Sequence, residues 1–230
     1  MAVFIFGRGT PTKVNPVFAE NSWEQIIKAC QMNKVPDSWE IGSTKNMVIN
    51  GKEYLVAIIG KKHDVYSDGT GTAPLTLNLV DLYATASRIH SGDRNTVGWV
   101  NCEMRTVTLP KLMALMPSEV QSGIREVNKK TTVGGAEATI NITADKLFLL
   151  ARNEVFATGG TSVTAGEGSL YAYYSDTARR VKKQESNPAS WWLRSPLPTN
   201  ITSYYWVDSE GRENSAYPSS NLNISFAFCF

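Results

Sequence analysis

The sequence predicts one α+β domain over residues 21–230, preceded by a short N-terminal arm or strand over residues 1–20. Three observations carry that reading. An amphipathic helix pattern stands near the start, an Asn-Gly hairpin follows it, and the last third alternates strand-prone runs with turns. No internal repeat and no long polar linker divides the chain, and 230 residues can bury a substantial core as one unit.

In chain order, "MAVFIF" (Met1 to Phe6) is β-prone and stops at Gly7-Arg8-Gly9, so it reads as a strand or docking arm. In "NSWEQIIKACQMNKV", Trp23, Ile26, Ile27 and Cys30 share one helical face, with Ser22 as N-cap and Gln25 at the capping-box position. Asn50-Gly51 in "KNMVINGKEYLVAIIG" predicts a type I′ turn between two strands. "HDVYSDGTGTAPLTL" is a polar loop running into a β-prone stretch, and "LVDLYATASRIH" reads as the next helix. "LPKLMALMPSEVQSGIREVNKKTT" reads as one or two helices broken at Pro117, with Val120, Ile124 and Val127 as their apolar stripe.

Leu147 to Leu150 form a short buried strand, and Thr158 to Ser169 a flexible glycine-containing loop. "LYAYYSDTARRVKKQ" is a mixed aromatic-to-basic segment. After it come "SWWLRSP", "SYYWVDSEGREN" with a turn at Glu210-Gly211, and the closing strand "ISFAFCF".

Composition narrows the function classes. The chain is 42% hydrophobic and 19% charged, which describes a globular protein rather than a disordered one. A net charge of +2 gives no electrostatic case for nucleic acid or an anionic membrane, and no apolar run is long enough to insert into a bilayer. The opening residues lack the order of a signal peptide, so synthesis in a cytoplasm without general secretory export is expected. Cys30, Cys102 and Cys229 are scattered and odd in number, which favours buried thiols over metal knuckles.

Catalytic signals are sparse. "SDGTG" lacks the Lys-Ser/Thr of a phosphate loop. His63-Asp64 reads as a loop-fixing pair or, less simply, as an acid–base pair; no Ser-His-Asp or paired-carboxylate arrangement stands out. No enzyme activity, cofactor or metal is expected. Asp64, Asp68 and Glu210 supply acidic oxygens, but a hard cation needs six or more converging.

The strings "IGSTKNMVINGKEYLVAIIGKKHDVYSDGTGTAPLTL", "VGWVNCEMR", "IREVNKKT", "TADKLFLLARNEVF", "YYSDTARRVK", "SWWLRSP", "VDSEG" and "SFAF", in that order, resemble a family of phage and prophage proteins of unassigned function. That family in turn resembles the C-type-lectin-like domains of variable receptor-binding proteins in diversity-generating retroelements. The resemblance runs from about Trp39 to Phe230. The family's closing "GVRPAF"-type segment stands here as "NISFAF", with Asn223, Ser225 and Phe226 in place of Gly, Arg and Pro. The formylglycine-generating oxidases share that broad architecture, but their close cysteine pair has no counterpart here. The lectins' calcium signatures, Glu-Pro-Asn and Trp-Asn-Asp, are absent as well.

The resemblance implies a C-type-lectin-like domain in a virion, assembled in the host cytoplasm and functional outside it. Its C-terminal loops would meet a host cell-surface glycan or protein, and the chain would form a homo-oligomer, a trimer by analogy. Met1 to Thr10 would contact other virion proteins; as the alternative, the chain is a purely structural decoration or tail-assembly subunit. Trp191, Trp192 and Arg194 are expected to be structural, one indole in the core, the other under the loops, and the guanidinium forked onto a carboxylate or carbonyls.

The Asn/Ser/Thr/Tyr-rich ending has the composition of a paratope. Strand alternation in "SYYWVDSE" buries Tyr205 and Val207 and presents Tyr204, Trp206 and Asp208. Arg212, Asn214, Tyr217, Ser219, Asn221 and Asn223 complete the expected ligand-binding set.

Overall fold

The computed structural model describes residues 14–157 and 166–230. Met1 to Thr10, and the greater part of the loop expected from Thr158, therefore lie outside the described residues.

The first half is mixed. Helix α1 (Trp23–Gln31) begins at Ser22, whose side chain accepts from the Gln25 N–H while Gln25 returns the bond. Its buried face is Trp23, Ile26, Ile27, Ala29 and Cys30. Strands β1 (Thr44–Ile49) and β2 (Lys52–Gly60) form the expected hairpin, and Asn50 and Gly51 both take positive φ (48° and 75°), as a type I′ turn demands. Strand β3 (Thr76–Leu79) follows. Short helices α2 (Gly98–Asn101), α3 (Leu109–Met113) and α4 (Ser118–Gly123) come next, the last two separated by the break at Pro117.

The second half is mostly strand: β4 (Val127–Gly134), β5 (Glu137–Asp145), β6 (Leu147–Leu149), the four-residue helix α5 (Arg152–Val155), β7 (Lys182–Gln184) and β8 (Asn187–Ala189). The chain closes with β9 (Trp191–Pro196), β10 (Tyr204–Val207), β11 (Glu213–Ala216) and β12 (Phe226–Cys229).

These strands make a mixed α+β fold of small antiparallel sheets. The largest runs β1-β2-β3-β12-β6, so the closing strand lies inside the sheet, between β3 and β6. A second sheet, β11-β10-β9, is tied to the first where the Arg194 N–H donates to the Leu150 carbonyl. The hairpins β4-β5 and β7-β8 complete the set. No helix among the described residues is long and apolar enough to cross a membrane. All three thiols are buried, and burial pushes Cys30 and Cys102 up to about 12.

Two expectations are overturned. "LVDLYATASRIH" forms no helix. Its N–H groups are taken by distant carbonyls instead, Leu82 by Lys183, Tyr83 by Ile224 and Ser87 by Leu222, so its backbone donors are satisfied across the fold rather than along the segment. Val127 does not extend the α4 stripe. The helix stops at Gly123, and Val127 starts β4 with its side chain in the core.

Candidate functional site

The WWLRSP strand is wholly buried. Trp191 and Trp192 are each 0% exposed, and their indole N–H groups donate to the carbonyls of Arg180 and Ser87 at 2.9 and 2.8 Å. Both rings are therefore core, rather than one core and one beneath the loops. Arg194 forks onto Glu154, with Nη1 donating to Oε2 at 2.6 Å and Nη2 to Oε1 at 2.9 Å. Its Nε donates to Thr131, and its remaining N–H groups reach the carbonyls of Leu149 and Lys130.

From Arg194 a chain of alternating charge runs through the interior. Glu154 meets Lys129 Nζ at 2.7 Å, and Lys129 meets Asp64 at 2.6 Å. Tyr171 and Thr76 donate to the Asp64 carboxylate at 2.8 and 2.5 Å. Burial alone would raise the carboxylates and lower Lys129. The neighbouring opposite charges win, holding Asp64 and Glu154 below the usual carboxylate range and Lys129 above the usual lysine value. The four charges cancel. Glu167 differs: burial raises it, although the Thr132 N–H, the Thr132 hydroxyl and the Ser195 hydroxyl all donate to it.

β4 alternation explains how these groups reach the interior: Val127, Lys129 and Thr131 point inward on one face. Sequence reading missed Lys129, Glu154, Tyr171 and Glu167. The one available signal was a lysine at an inward position between two apolar or small residues.

Above this chain opens a cavity of about 300 Å³ lined by His63, Asp64, Val65, Asn128, Lys129, Lys130, Ile142, Glu154, Gly168 and Ser169. The His63 ring stacks on Tyr171 with centroids 3.9 Å apart. Its Nε2 lies 3.1 Å from Ser169 Oγ, and its Nδ1 lies 3.7 Å from Asp64 Oδ2. Ser169 is 106 residues from His63, so sequence spacing gave no warning of the contact.

The expected ligand-binding residues divide. Tyr204 is a correction: it is 0% exposed and lies in the core, as are Tyr205 and Val207. β10 has protein on both faces and a register shift against β9 between Tyr204 and Trp206, so alternation does not separate inside from outside. Asn223 is a second correction. It is buried and donates its amide to the Ser190 carbonyl, beside the Trp192 N–H bond to its own carbonyl.

Trp206, Asp208 and Ser219 are half-buried, whereas Arg212, Asn214, Tyr217 and Asn221 are exposed. Asp208 holds the turn before β11 together by accepting from the Glu210 N–H and from the Arg212 N–H and Nε. Ser219 donates to Asp93, and Tyr217 is 56% exposed. The preceding loop is pinned by buried Asn95, which donates to the carbonyls of Leu197, Asn200 and Ser203 and accepts from the Gly135 N–H. The three acidic groups considered for a cation do not converge: Asp64 meets Lys129, Asp68 meets Arg125 and Glu210 meets Arg212.

A family profile described as a domain of unknown function, DUF6273, matches residues 74–229, more than half of the chain. The chain belongs to the DUF6273 family. The DUF6273 region contains β3 to β12 and with them Lys129, Glu154, Tyr171 and Arg194; His63 and Asp64 precede it. No curated protein and no solved structure matches the chain.

Proposed function

We propose that this protein is a receptor-binding module of a phage virion, with a C-type-lectin-like domain that presents the segment from Asp208 to Asn221 to a glycan or protein on the host surface. The carrying observation is the contrast between the two parts of the C-terminal third. Trp191, Trp192 and Arg194 are fully buried and hydrogen-bonded, while Tyr217, Asn214 and Asn221 a short distance along the chain are exposed. A fixed base lowers the entropy lost when such loops bind, and tyrosine and asparagine bring contact area and hydrogen bonding. The phage setting and self-association as a trimer rest on the sequence resemblance. Whole-cell binding and a glycan array with the isolated protein test the reading: saturable binding to host cells supports it, and an absence of binding on every surface tried overturns it.

A further inference from the structure

We infer that the cavity above the buried charge chain is a hydrolytic site, with Ser169 as nucleophile and His63 as its general base, acting on carboxylic esters of short aliphatic acyl groups. Three observations meet there. Ser169 Oγ and His63 Nε2 are within hydrogen-bond distance at 3.1 Å. Asp64 Oδ2 stands 3.7 Å from the other ring nitrogen, which accepts or donates no hydrogen bond within the protein. The 300 Å³ cavity holding all three is bordered by Val65 and Ile142, exposed aliphatic side chains suited to a small acyl chain. The order nucleophile, imidazole, carboxylate is that of a serine hydrolase, recognised by geometry and roles rather than by position in the chain.

Asp64 is a positioning residue. Its carboxylate is fixed in place by Lys129, Thr76 and Tyr171, so its field favours the proton on Nδ1 and leaves the Nε2 lone pair for the serine. Tyr171, stacked on the ring, fixes the plane of the imidazole. The chemistry balances without a further reactant. Ser169 Oγ bonds to the ester carbonyl carbon as its proton passes to Nε2. The carbon–oxygen bond to the alcohol then breaks, and the imidazolium returns the proton to the leaving oxygen. Water, deprotonated by the same nitrogen, hydrolyses the acyl-serine to free acid. Asn128 and Lys130 also line the cavity; the Asn128 backbone N–H is committed to the Val65 carbonyl, so its side-chain amide and the Lys130 ammonium are the donors open to a developing oxyanion.

The test is labelling of the full chain with a fluorophosphonate probe, followed by peptide mapping, alongside hydrolysis of p-nitrophenyl butyrate. The expected result is a single adduct on Ser169, with turnover lowered about 100-fold or more by Ser169→Ala and by His63→Gln at unchanged unfolding midpoint. No adduct, an adduct elsewhere, or turnover indifferent to either substitution overturns the assignment. The role of Asp64 is read in the unaltered protein from imidazole 15N shifts, which two histidines in the chain make simple to assign. The Nδ1–H tautomer of His63 is expected, and the Nε2–H tautomer contradicts it. The cavity shares no residue with the Asp208–Asn221 segment, so the outcome is independent of the binding result.

Discussion

Arg194 places all its N–H groups on acceptors inside the protein, and a substitution there strands its partner rather than merely losing a bond. Arg194→Met leaves Glu154 buried opposite Lys129 alone, and chemical denaturation should show a loss of about 3–5 kcal/mol. Lys182 is a different case. It is fully buried, donates to Asn78 Oδ1 and to the carbonyls of Leu79 and Val80, and faces the rings of Tyr174 and Trp191. Burial nevertheless pushes its pKa down to about 7, with Asp81 opposing the shift. The unfolded chain holds that proton up to about 10.5 and therefore binds more protons than the native state above pH 7. Stability should rise by about 2 kcal/mol between pH 7 and 9, and Lys182→Met should flatten the rise. A wild-type profile as flat as the variant's would contradict this.

Among the elements, the hairpin β1-β2 and helix α1 were legible because their signals are local: a turn dipeptide that tolerates positive φ, and a capping residue at fixed spacing. The stretch from Leu79 to His90 was illegible because its partners, Lys183, Ile224 and Leu222, stand more than a hundred residues away. The glycines divide by the same logic. Gly51 has φ +75° with open space around it, so Gly51→Ala should cost only the left-handed penalty of about 1 kcal/mol. Gly134 has φ +85°, and a Cβ there would stand 2.1 Å from the Asn95 carbonyl oxygen, a contact only a backbone shift could relieve. Gly134→Ala should cost at least about 3 kcal/mol by thermal or denaturant unfolding, since it combines strain with displacement of the residue that pins the 197–203 loop. Equal costs at the two positions would show that the close approach is unimportant.

At the scale of the molecule, the C-terminal third is two things at once. Phe226–Cys229 lies inside the main sheet between β3 and β6, so cutting the chain after Pro198 removes core as well as loops, and single exposed side chains are the cleaner probe. The composition of the ending pointed to a surface, and this holds for Arg212, Asn214, Tyr217 and Asn221. It failed at Tyr204 and Asn223, where the same residue types are taken up by neighbouring strands, which composition does not register. The charge chain was hidden for a related reason. Asp64, Lys129, Glu154 and Arg194 come from four separate segments and look individually like surface residues until the sheets bring them together. On the proposed function, this locked interior carries an exposed binding segment. That role is tested most directly by the affinity for host cells of the Tyr217→Ala/Asn221→Ala double variant, measured beside its unfolding midpoint. Affinity should fall at least about tenfold, or some 1.4 kcal/mol, with the midpoint unchanged. Undiminished binding by a properly folded double variant would contradict it.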